Sequence, residues 1–557
     1  MLWQALFLPP KPRHVKRVPP QQIEKEIPSP EEVFPSGEGK KEVDAEPPSP
    51  SLAKPVHTPL PPEKEIVVET DLYAAIFSSR GARLKSLKLL CHRNKIALPK
   101  ICFIFPFSLL YGNKQLHHDL EFKEMVSAQG SDNYPLKTTF EGPDLGYFAE
   151  APFVTHTSSL RVDNAHPQEE ISFSWLSKEG VAFIKKFTFH SEGYYIDYDF
   201  TLVNNSPRPL EGSPSVEWTS AIQQEDKKKK GGFFGGMGDD VQQFLYLTSD
   251  EVNRIEVKDM QENKVFTGDI KWAAFEDKYF LSSLIPNNVQ DLKLKIYRGN
   301  NNIVSFQLVS PLTNIAPHTQ RNFSYSLYLG PKDMGHLEKG RGELGKVLSF
   351  GKYLDPVAKP MLFILKLFYK LIPNYGLAII ILSALIKILF WPLTHKSQKS
   401  MKEMQKIQPK IAELREKYKN NKEELQRRTM ELYRTHKVNP LGGCLPILIQ
   451  LPVFFALYRV LLNSIELRHA PFISSWINDL SAKDPTYISP LLMGASMFIQ
   501  QKMTPTVGDP TQAKMMLAMP IVFTFLFLNF PSGLVIYWLV TNILSIGQQY
   551  YINKHSF

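Results

Sequence analysis

The chain has 557 residues, which exceeds one ordinary domain and predicts at least two folding units. Its formal net charge of +10 favours acidic partners, such as RNA or anionic lipid headgroups, if the basic residues cluster. The three cysteines form no Cys-x-x-Cys pair and no Cys/His set with zinc spacing, which argues against a structural metal.

The mean hydropathy of −0.20 is an average over two unlike parts of the chain. The sequence before Tyr353 is polar and strand-like, whereas Pro373 to Phe557 is dominated by long apolar runs. The chain is therefore predicted to be a multi-domain membrane protein with a polar domain outside the lipid.

The sequence of the first 65 residues predicts little ordered structure. Residues 1–8 are apolar but stop at Pro9-Pro10, short of the about 20 residues that a spanning helix needs, so a truncated or incomplete N-terminal anchor is expected. Residues 9–65 are rich in proline, glutamate and lysine and are predicted to be a disordered linker.

Residues 66–345 show period-two patterning with turn signals between short segments, as in 183–189 and 194–200. Alternation with β-branched and aromatic residues predicts antiparallel strands, and their number predicts a large β-sandwich. Within this domain, Cys91 and Cys102 are either free thiols or, in an extracytoplasmic setting, a disulfide.

A predicted amphipathic helix follows at residues 355–372, with Lys359, Lys366 and Lys370 on one face. This pattern is typical of a helix that lies along a membrane surface. Residues 373–557 are then predicted to form an all-α transmembrane bundle. Its five recognisable spans are Tyr375 to Leu393, Leu441 to Leu462, Tyr487 to Met503, Met515 to Phe530 and Ser532 to Ile552.

The segment 394–439 is the most basic region between spans, so the positive-inside rule places it in the cytoplasm. Alternation then places the β-domain and the loop 463–486 outside, and the C-terminus inside. Apolar residues at three- and four-residue spacing predict a helical hairpin that turns at Asn420-Asn421, and Asn421 with Glu424 resembles a capping box. The hairpin is either a solvated, charged element or a docking surface for nucleic acid or protein.

Lys387 is the strongest candidate functional residue, because it lies inside the first apolar span. An ammonium near mid-bilayer costs roughly 3 kcal/mol on insertion scales unless it meets water or a partner. The other four spans contain no Asp or Glu, so no internal counter-ion is expected. One interpretation is that Lys387 snorkels to the cytoplasmic surface; the other is a water-filled groove that receives an acidic partner.

Polar side chains in the spans are available to line such a groove or to bond helix to helix. Those in the groove prediction are Gln450, Gln500, Gln501, Thr541 and Asn542. The predicted mechanism attracts the acidic tail of a client protein toward Lys387 while its apolar segment slides into lipid, without a cofactor or covalent chemistry.

Four strings in this region resemble the YidC membrane protein insertases, of the superfamily with the Oxa and Alb proteins. The strings are Val438 to Pro446, Leu448 to Phe454, Gln501 to Pro505 and Phe530 to Leu534. The resemblance implies a β-supersandwich as the periplasmic domain of a bacterial inner-membrane insertase and chaperone. It also implies that Lys387 is the groove cation and that Ser383, Tyr537 and Trp538 contact clients.

The implied partners are nascent membrane proteins, the Sec translocon, the ribosome through the basic hairpin, and membrane lipids, with no small-molecule substrate. Many relatives carry arginine where this chain has Lys387, so the planar fork that binds carboxylates bidentately is absent here. Two alternatives remain at this level. A transporter or channel would also place polar groups in helices. A sugar-binding or sugar-isomerising β-domain would draw on His190, Asp197 and Asp199.

Overall fold

Strands occupy the first part of the chain and helices the last part in the computed structural model. The described residues are 62–93, 122–128, 130, 133–142, 146–222, 242–260, 264–299, 302–338, 340–351, 353–436, 445–503 and 510–555. They all belong to one unit, Leu60–Phe557. The predicted anchor at 1–8, most of the predicted linker, and Cys102 lie outside the described residues, whereas Cys91 is an exposed free thiol.

The β-domain is built from strands that we number in chain order. They are β1 Glu65–Thr70, β2 Tyr73–Ser78, β3 Arg83–Arg93, β4 Phe122–Glu124, β5 Lys137–Glu141, β6 Ser159–Val162, β7 Gln168–Leu176, β8 Val181–His190, β9 Tyr195–Asn204, β10 Leu210–Ala221, β11 Gln243–Thr248, β12 Glu251–Glu256, β13 Lys264–Thr267, β14 Ile270–Glu276, β15 Phe280–Pro286, β16 Lys293–Arg298, β17 Ile303–Val309, β18 Thr313–Ile315 and β19 Thr319–Pro331.

Three sheets form from these strands. The largest has eight strands in the order β12-β11-β14-β15-β19-β9-β8-β7, another has the order β13-β16-β17-β10-β18 with β5 also on β10, and the third has the order β4-β3-β2-β1-β6. The predicted antiparallel pairing holds for the strand pairs of the described residues except β1 with β6, which is parallel. The long chain between these two strands permits it, because parallel neighbours need a crossover connection.

Both smaller sheets pack on the eight-stranded sheet through aromatic rings. Phe306 of β17 lies 5.4 Å from both Phe244 of β11 and Phe275 of β14, between ring centroids. Phe77 of β2 lies 4.7 Å from Phe187 of β8. Aromatic pairs at such distances add to the burial of apolar area, so the two interfaces form one β-sandwich core.

Alternation along β8 and β9 confirms the strands predicted at 183–189 and 194–200. In β9 every second side chain from Ile196 to Asn204 is buried, which leaves Asp197 and Asp199 together on the opposite face. The period of two therefore decided both the core and the polar face of this sheet.

The helices are numbered in the same way. They are α1 Met334–Glu338, α2 Asp355–Leu371, α3 Tyr375–Leu389, α4 Trp391–Lys406, α5 Gln408–Lys417, α6 Lys422–Thr435, α7 Leu445–Asn463, α8 Ile488–Met503, α9 Pro510–Phe527 and α10 Ser532–His555. Helix α2 packs against α3 and α7, while α10 packs against α3 and α8 and also touches α4 and α7. Helix α10 is thus the central element of the bundle.

The five predicted spans are not confirmed as single helices. In the described part of the chain, no helix taken alone has both the length and the hydropathy to cross a bilayer. The bent pair α3 and α4 meets the test when the two are joined, with a 62° bend, and shorter apolar helices run over Ile449–Asn463 and Met515–Phe527.

The first predicted span, 375 to 393, is interrupted because α3 ends at Leu389 and α4 begins at Trp391. Pro392 lies in the first turn of α4, where its ring removes one backbone donor and restricts the preceding residue. Hydropathy alone does not register this break, which places Lys387 in the last turn of α3.

Helices α4, α5 and α6 form the basic region. The side chain of Asn421 accepts a hydrogen bond of 3.1 Å from the backbone N–H of Glu424, which confirms the predicted cap at the start of α6. Met404, Ile407 and Ile411 are buried, in agreement with the predicted apolar face.

Candidate functional site: a polar seam beside Lys387

Lys387 lies where α3 ends, and its ammonium points at α10. Its Nζ donates a hydrogen bond of 2.7 Å to Oγ of Ser545, and the side chain is half-buried. The free carbonyls at the end of α3 carry partial negative charge that favours a cation in the last turn. This geometry disfavours the snorkelling interpretation, because the ammonium is engaged with a neighbouring helix.

The positive charge of Lys387 has no carboxylate partner in the described part of the chain. A hydroxyl supplies one acceptor, whereas an ammonium has three donors, so two donors remain for water or for a ligand. A half-buried cation with spare donors attracts anions more strongly than a fully solvated one, because the local dielectric is lower.

Helix α10 presents a stripe of polar side chains to α3, α4 and α7. Tyr537, Thr541, Ser545 and Gln548 follow one another at intervals of four, four and three residues, which places them on one helix face. Thr541 and Ser545 each donate to the carbonyl four residues earlier, at 2.8 and 2.7 Å. Their hydroxyl oxygens therefore keep lone pairs for neighbours such as Lys387.

Two further contacts connect this stripe to the surrounding helices. Gln450 of α7 donates at 3.4 Å to the hydroxyl of Tyr537, and Gln548 donates at 3.0 Å to the hydroxyl of Thr394 on α4. We call the stripe with its partners the Lys387 seam. Its members are Lys387, Thr394, Gln450, Tyr537, Thr541, Ser545 and Gln548.

The remaining predicted lining residues lie elsewhere, on α8 and on the face of α10 toward α8. Asn542 is buried and donates at 3.0 Å to Ser496 of α8. Gln500 and Gln501 lie near the end of α8, and Nε2 of Gln501 is buried without a hydrogen-bond partner among the described residues. Successive side chains of an α-helix point about 100° apart around its axis, so Thr541 and Asn542 face different neighbours.

The predicted client-contact residues differ in accessibility. Ser383 and Tyr537 are each 1 % exposed, and the Ser383 hydroxyl donates at 2.6 Å to the carbonyl of Ile379. Trp538 is half-buried, with its ring 5.0 Å from that of Phe454 in an edge-on contact. Of the three, Trp538 is therefore the one within reach of another chain in this conformation.

Sequence reasoning did not identify Ser545 and Gln548 as members of the site. Their spacing from Tyr537 and Thr541 was visible in the sequence as a polar repeat of three and four residues. What the repeat could not show is which neighbouring helix the stripe faces.

Polar side chains on β9 form hydrogen bonds and ion pairs with residues of neighbouring elements. Asp197 accepts from His190 at 2.9 Å and from Ser326 at 2.9 Å, and it also pairs with Arg341. Burial raises the pKa of Asp197, but these hydrogen bonds outweigh burial and lower it overall. An ionised carboxylate with its acceptor positions occupied is poorly placed to act as a general base.

The comparisons with known proteins agree with this architecture. A family model described as YidC periplasmic domain matches residues 65–364, and one described as 60Kd inner membrane protein matches residues 367–557. The membrane protein insertase YidC of Syntrophus aciditrophicus is 44% identical over 496 residues, which are 89% of this chain and 86% of that protein.

A second relative and one solved structure also match the chain. The membrane protein insertase YidC of Citrifermentans bemidjiense is 42% identical, over 88% of this chain and 86% of the relative. A crystal structure of an active YidC insertase with its first transmembrane domain resolved is 19% identical with a TM-score of 0.37, over 88% of this chain and 92% of the other.

The two matched family models identify the class of this protein as an inner-membrane protein with a periplasmic domain. On the identity and coverage of its relatives, the chain belongs to the YidC family of membrane protein insertases.

Proposed function

We propose that this chain inserts client proteins into the membrane by attracting their acidic tails to Lys387. The supporting observation is a half-buried ammonium whose bound partner is the neutral hydroxyl of Ser545, at 2.7 Å. A client carboxylate would replace or join that hydroxyl and form a charge-assisted hydrogen bond. No ATP, metal or covalent intermediate takes part in this scheme.

The energy for insertion comes from the client itself. Its apolar segment gains about 25 cal/mol for each Å² that leaves water. Its polar tail loses hydration, and the hydroxyls and amides of the Lys387 seam replace part of that loss. The seam therefore lowers the barrier for the polar tail, while lipid supplies the driving force.

Client contact through Ser383 and Tyr537 requires motion, because both side chains are buried. We propose that α10 separates from α3 as the tail enters, and that Trp538 meets the client first. Gln500 and Gln501 of α8, together with Asn542 of α10, would then line the groove on the α8 side.

The remaining organisation follows from charge. We propose residues 66–345 as the periplasmic domain, 355–372 as an interfacial helix on anionic lipid, and 373–557 as the insertase domain with a cytoplasmic C-terminus. The hairpin 394–439 would contact ribosomes that carry nascent chains, and the protein would act alone or beside the Sec translocon, also as a chaperone.

The test of this function is substitution of Lys387 in proteoliposomes that contain a client able to insert without a translocon. We expect Lys387→Glu to reduce the insertion rate at least about tenfold, because the cation at the end of α3 becomes an anion. Lys387→Arg should retain most of the rate, since the charge is kept.

A matched control is Lys502→Glu, which changes a lysine in the last turn of another apolar helix, α8. Insertion should persist in this variant. Normal insertion by Lys387→Glu at equal protein level would refute the proposed role of Lys387. Uptake of a small solute in place of insertion would instead indicate a transporter.

A further inference from the structure

The loop 464–487, here called the outer loop, joins α7 to α8 and belongs to both halves of the molecule. Ile465 is 7 % exposed and packs in the β-domain core, whereas Leu467, two residues later, is fully buried in the core of the helical bundle. Both residues lie in one short 3-10 helix, Ile465–Leu467. The two hydrophobic cores are therefore connected through a single turn of this loop.

An ionic cluster surrounds the same turn. Lys366 of α2 donates at 2.9 Å to Asp333, just before α1, and at 3.0 Å to Glu466 of the outer loop. His336 adds a hydrogen bond of 2.9 Å to Asp333. One ammonium thus holds together the β-domain, the interfacial helix and the outer loop, with 32 % of its side chain exposed.

The cluster contains one ammonium and two carboxylates, so substitution of any of these groups changes its balance of charge. Burial raises the pKa of Glu466. Burial acts against the charged form of Lys366 as well, but the attraction of Glu466 and Asp333 raises its pKa overall. Removing Lys366 leaves two buried carboxylates without their shared cation, which costs more than the intact cluster contributes, whereas removing the Glu466 carboxylate deletes the ionic contact between the outer loop and α2.

A second contact lies two residues further along the outer loop. The guanidinium of Arg468 lies over the rings of Tyr279 and Phe280 in the β-domain, 5.2 and 5.1 Å from their centroids. Stacking of this type is strong for arginine, because its guanidinium is planar and weakly hydrated.

The outer loop also holds the start of α3. Asn374 accepts from the backbone N–H of Leu377 at 3.1 Å and donates at 2.9 Å to the carbonyl of Phe472. Gly376 lies directly against the Phe472 ring, where an added Cβ would come within 2.0 Å of it. The N-terminal cap of the helix that carries Lys387 is therefore shared with the outer loop.

The start of α10 is fixed by the same loop. The backbone N–H groups of Ser532 and Gly533 donate to the carbonyls of Ala482 and Leu480, at 2.7 and 3.0 Å. The hydroxyl of Ser532 donates at 2.9 Å to the carbonyl of Asp479. These bonds satisfy donors that a helix N-terminus leaves free.

We propose that the β-domain positions the outer ends of α3 and α10 through the outer loop, and that the ion pair of Lys366 with Glu466 holds this loop in place. We call this ion pair the joint, and the position of the loop that it maintains the seating. These two helices carry Lys387 and Ser545, so the seating of the loop defines the arrangement of the Lys387 seam. The effect on insertion rests on the proposed function above, whereas the seating itself does not.

The test measures the seating directly by electron spin resonance distances in the full chain. Spin labels are attached at Ile473→Cys in the outer loop and Leu176→Cys in β7, both exposed, in a background with the native cysteines changed to serine. We expect Glu466→Gln and Lys366→Met each to broaden or shift the distance distribution. Insertion of the client used for Lys387 should fall about threefold at equal protein level.

Two further variants separate this joint from a general effect of charge. Lys370→Met removes an exposed lysine one turn further along α2 and should leave both distance and insertion unchanged. The exchange Lys366→Glu with Glu466→Lys restores opposite charges and should restore the narrow distribution and most of the insertion rate.

The outcomes distinguish this proposal from the proposed function. If both single variants keep the native distance distribution, the joint does not exist. If the distribution broadens while insertion by the same variants stays normal, the loop does not position the seam. If only the Lys387 test fails, the spin-label distances still decide whether Lys366 and Glu466 hold the outer loop in place.

Discussion

Lys185 and Lys387 both lie away from carboxylates in the described residues, but their surroundings differ. Lys185 is fully buried in the β-domain and donates to the carbonyls of Gly81 and Leu136 at 2.6 and 3.2 Å. Burial holds its pKa well below the ordinary value of 10.5, and its hydrogen bonds tie separate segments of the core together. Lys387 is half-buried with donors to spare, which suits a residue that receives a ligand.

The pKa of His92 predicts how the stability of the junction between the β-domain and the outer loop changes with pH. Burial, assisted by the charge of Arg468, lowers its pKa from 6.5 to about 4, and its ring packs edge-on against Phe280 at 5.5 Å. The unfolded chain binds a proton below pH 6.5, whereas the folded protein binds it only below about pH 4. Stability is therefore lost as the pH falls from 6.5 to about 4, by about 1–2 kcal/mol after allowance for solvent screening.

The measurement is the difference in thermal stability between the native chain and His92→Phe across this pH range. The difference should change between pH 6.5 and 4 and level off below, since Phe does not titrate. Comparing the two proteins at each pH reduces the contributions from Glu466, Asp333, His336 and His469, of which the last three also interact electrostatically with His92. A difference that does not vary with pH would show that His92 is protonated alike in both states.

The break between α3 and α4 shows how one residue shapes an element. Phe390, with φ −88° and ψ 0°, ends α3 and precedes α4, and the two helices diverge by 62°. Pro392 lacks the N–H that would continue the helical ladder. The bend brings Thr394 of α4 against Gln548 of α10, so it also contributes to the Lys387 seam.

Pro392→Ala is expected to reduce this bend, because alanine restores the missing donor and favours helix. Spin labels at Leu385→Cys and Lys399→Cys, fourteen residues apart on the exposed surface, report it. At a rise of 1.5 Å per residue, a straightened helix would lengthen the distance between them by about 3 Å. Lys396→Ala, which leaves the proline in place, should not change the distance, and an unchanged distance in Pro392→Ala would assign the bend to tertiary packing.

Sequence patterns predicted correctly those elements that depend on residues close together in the chain. The alternation in β8 and β9 and the cap at Asn421 were readable from the sequence, because side-chain period and capping depend on residues close in the chain. The partners of Lys387 were not readable, since Ser545 lies 158 residues away and only the packing of α10 on α3 joins them. The parallel pairing of β1 with β6 was missed for the same reason.

At the scale of the whole molecule, polar and charged contacts join the two halves beside the apolar residues Ile465 and Leu467. The junction combines the ionic cluster of Lys366 with the stacked guanidinium of Arg468. Hydropathy predicted the separation into two halves, but it could not predict this junction, because charged residues in a loop look the same whether they are solvated or paired.

Charge also predicts how the molecule is oriented. The segment 394–439 carries seven more basic than acidic residues, 13 against 6. Transfer of such a segment across the inner membrane is disfavoured, so it should remain in the cytoplasm together with the end of α10. The periplasmic domain and the outer loop, which contact each other, should lie on the opposite side.

Single cysteines test this orientation in spheroplasts exposed to a membrane-impermeant maleimide, again in a background without native cysteines. Leu312→Cys in the β-domain should react at once, while Met430→Cys on α6 and Lys554→Cys at the end of α10 should react only after the inner membrane is opened. All three positions are exposed and lie outside the predicted spans, so lack of reaction reports the membrane and not burial within the protein. Reaction of Met430→Cys in closed spheroplasts would place the basic hairpin outside, where neither a ribosome nor the positive-inside rule would account for its charge.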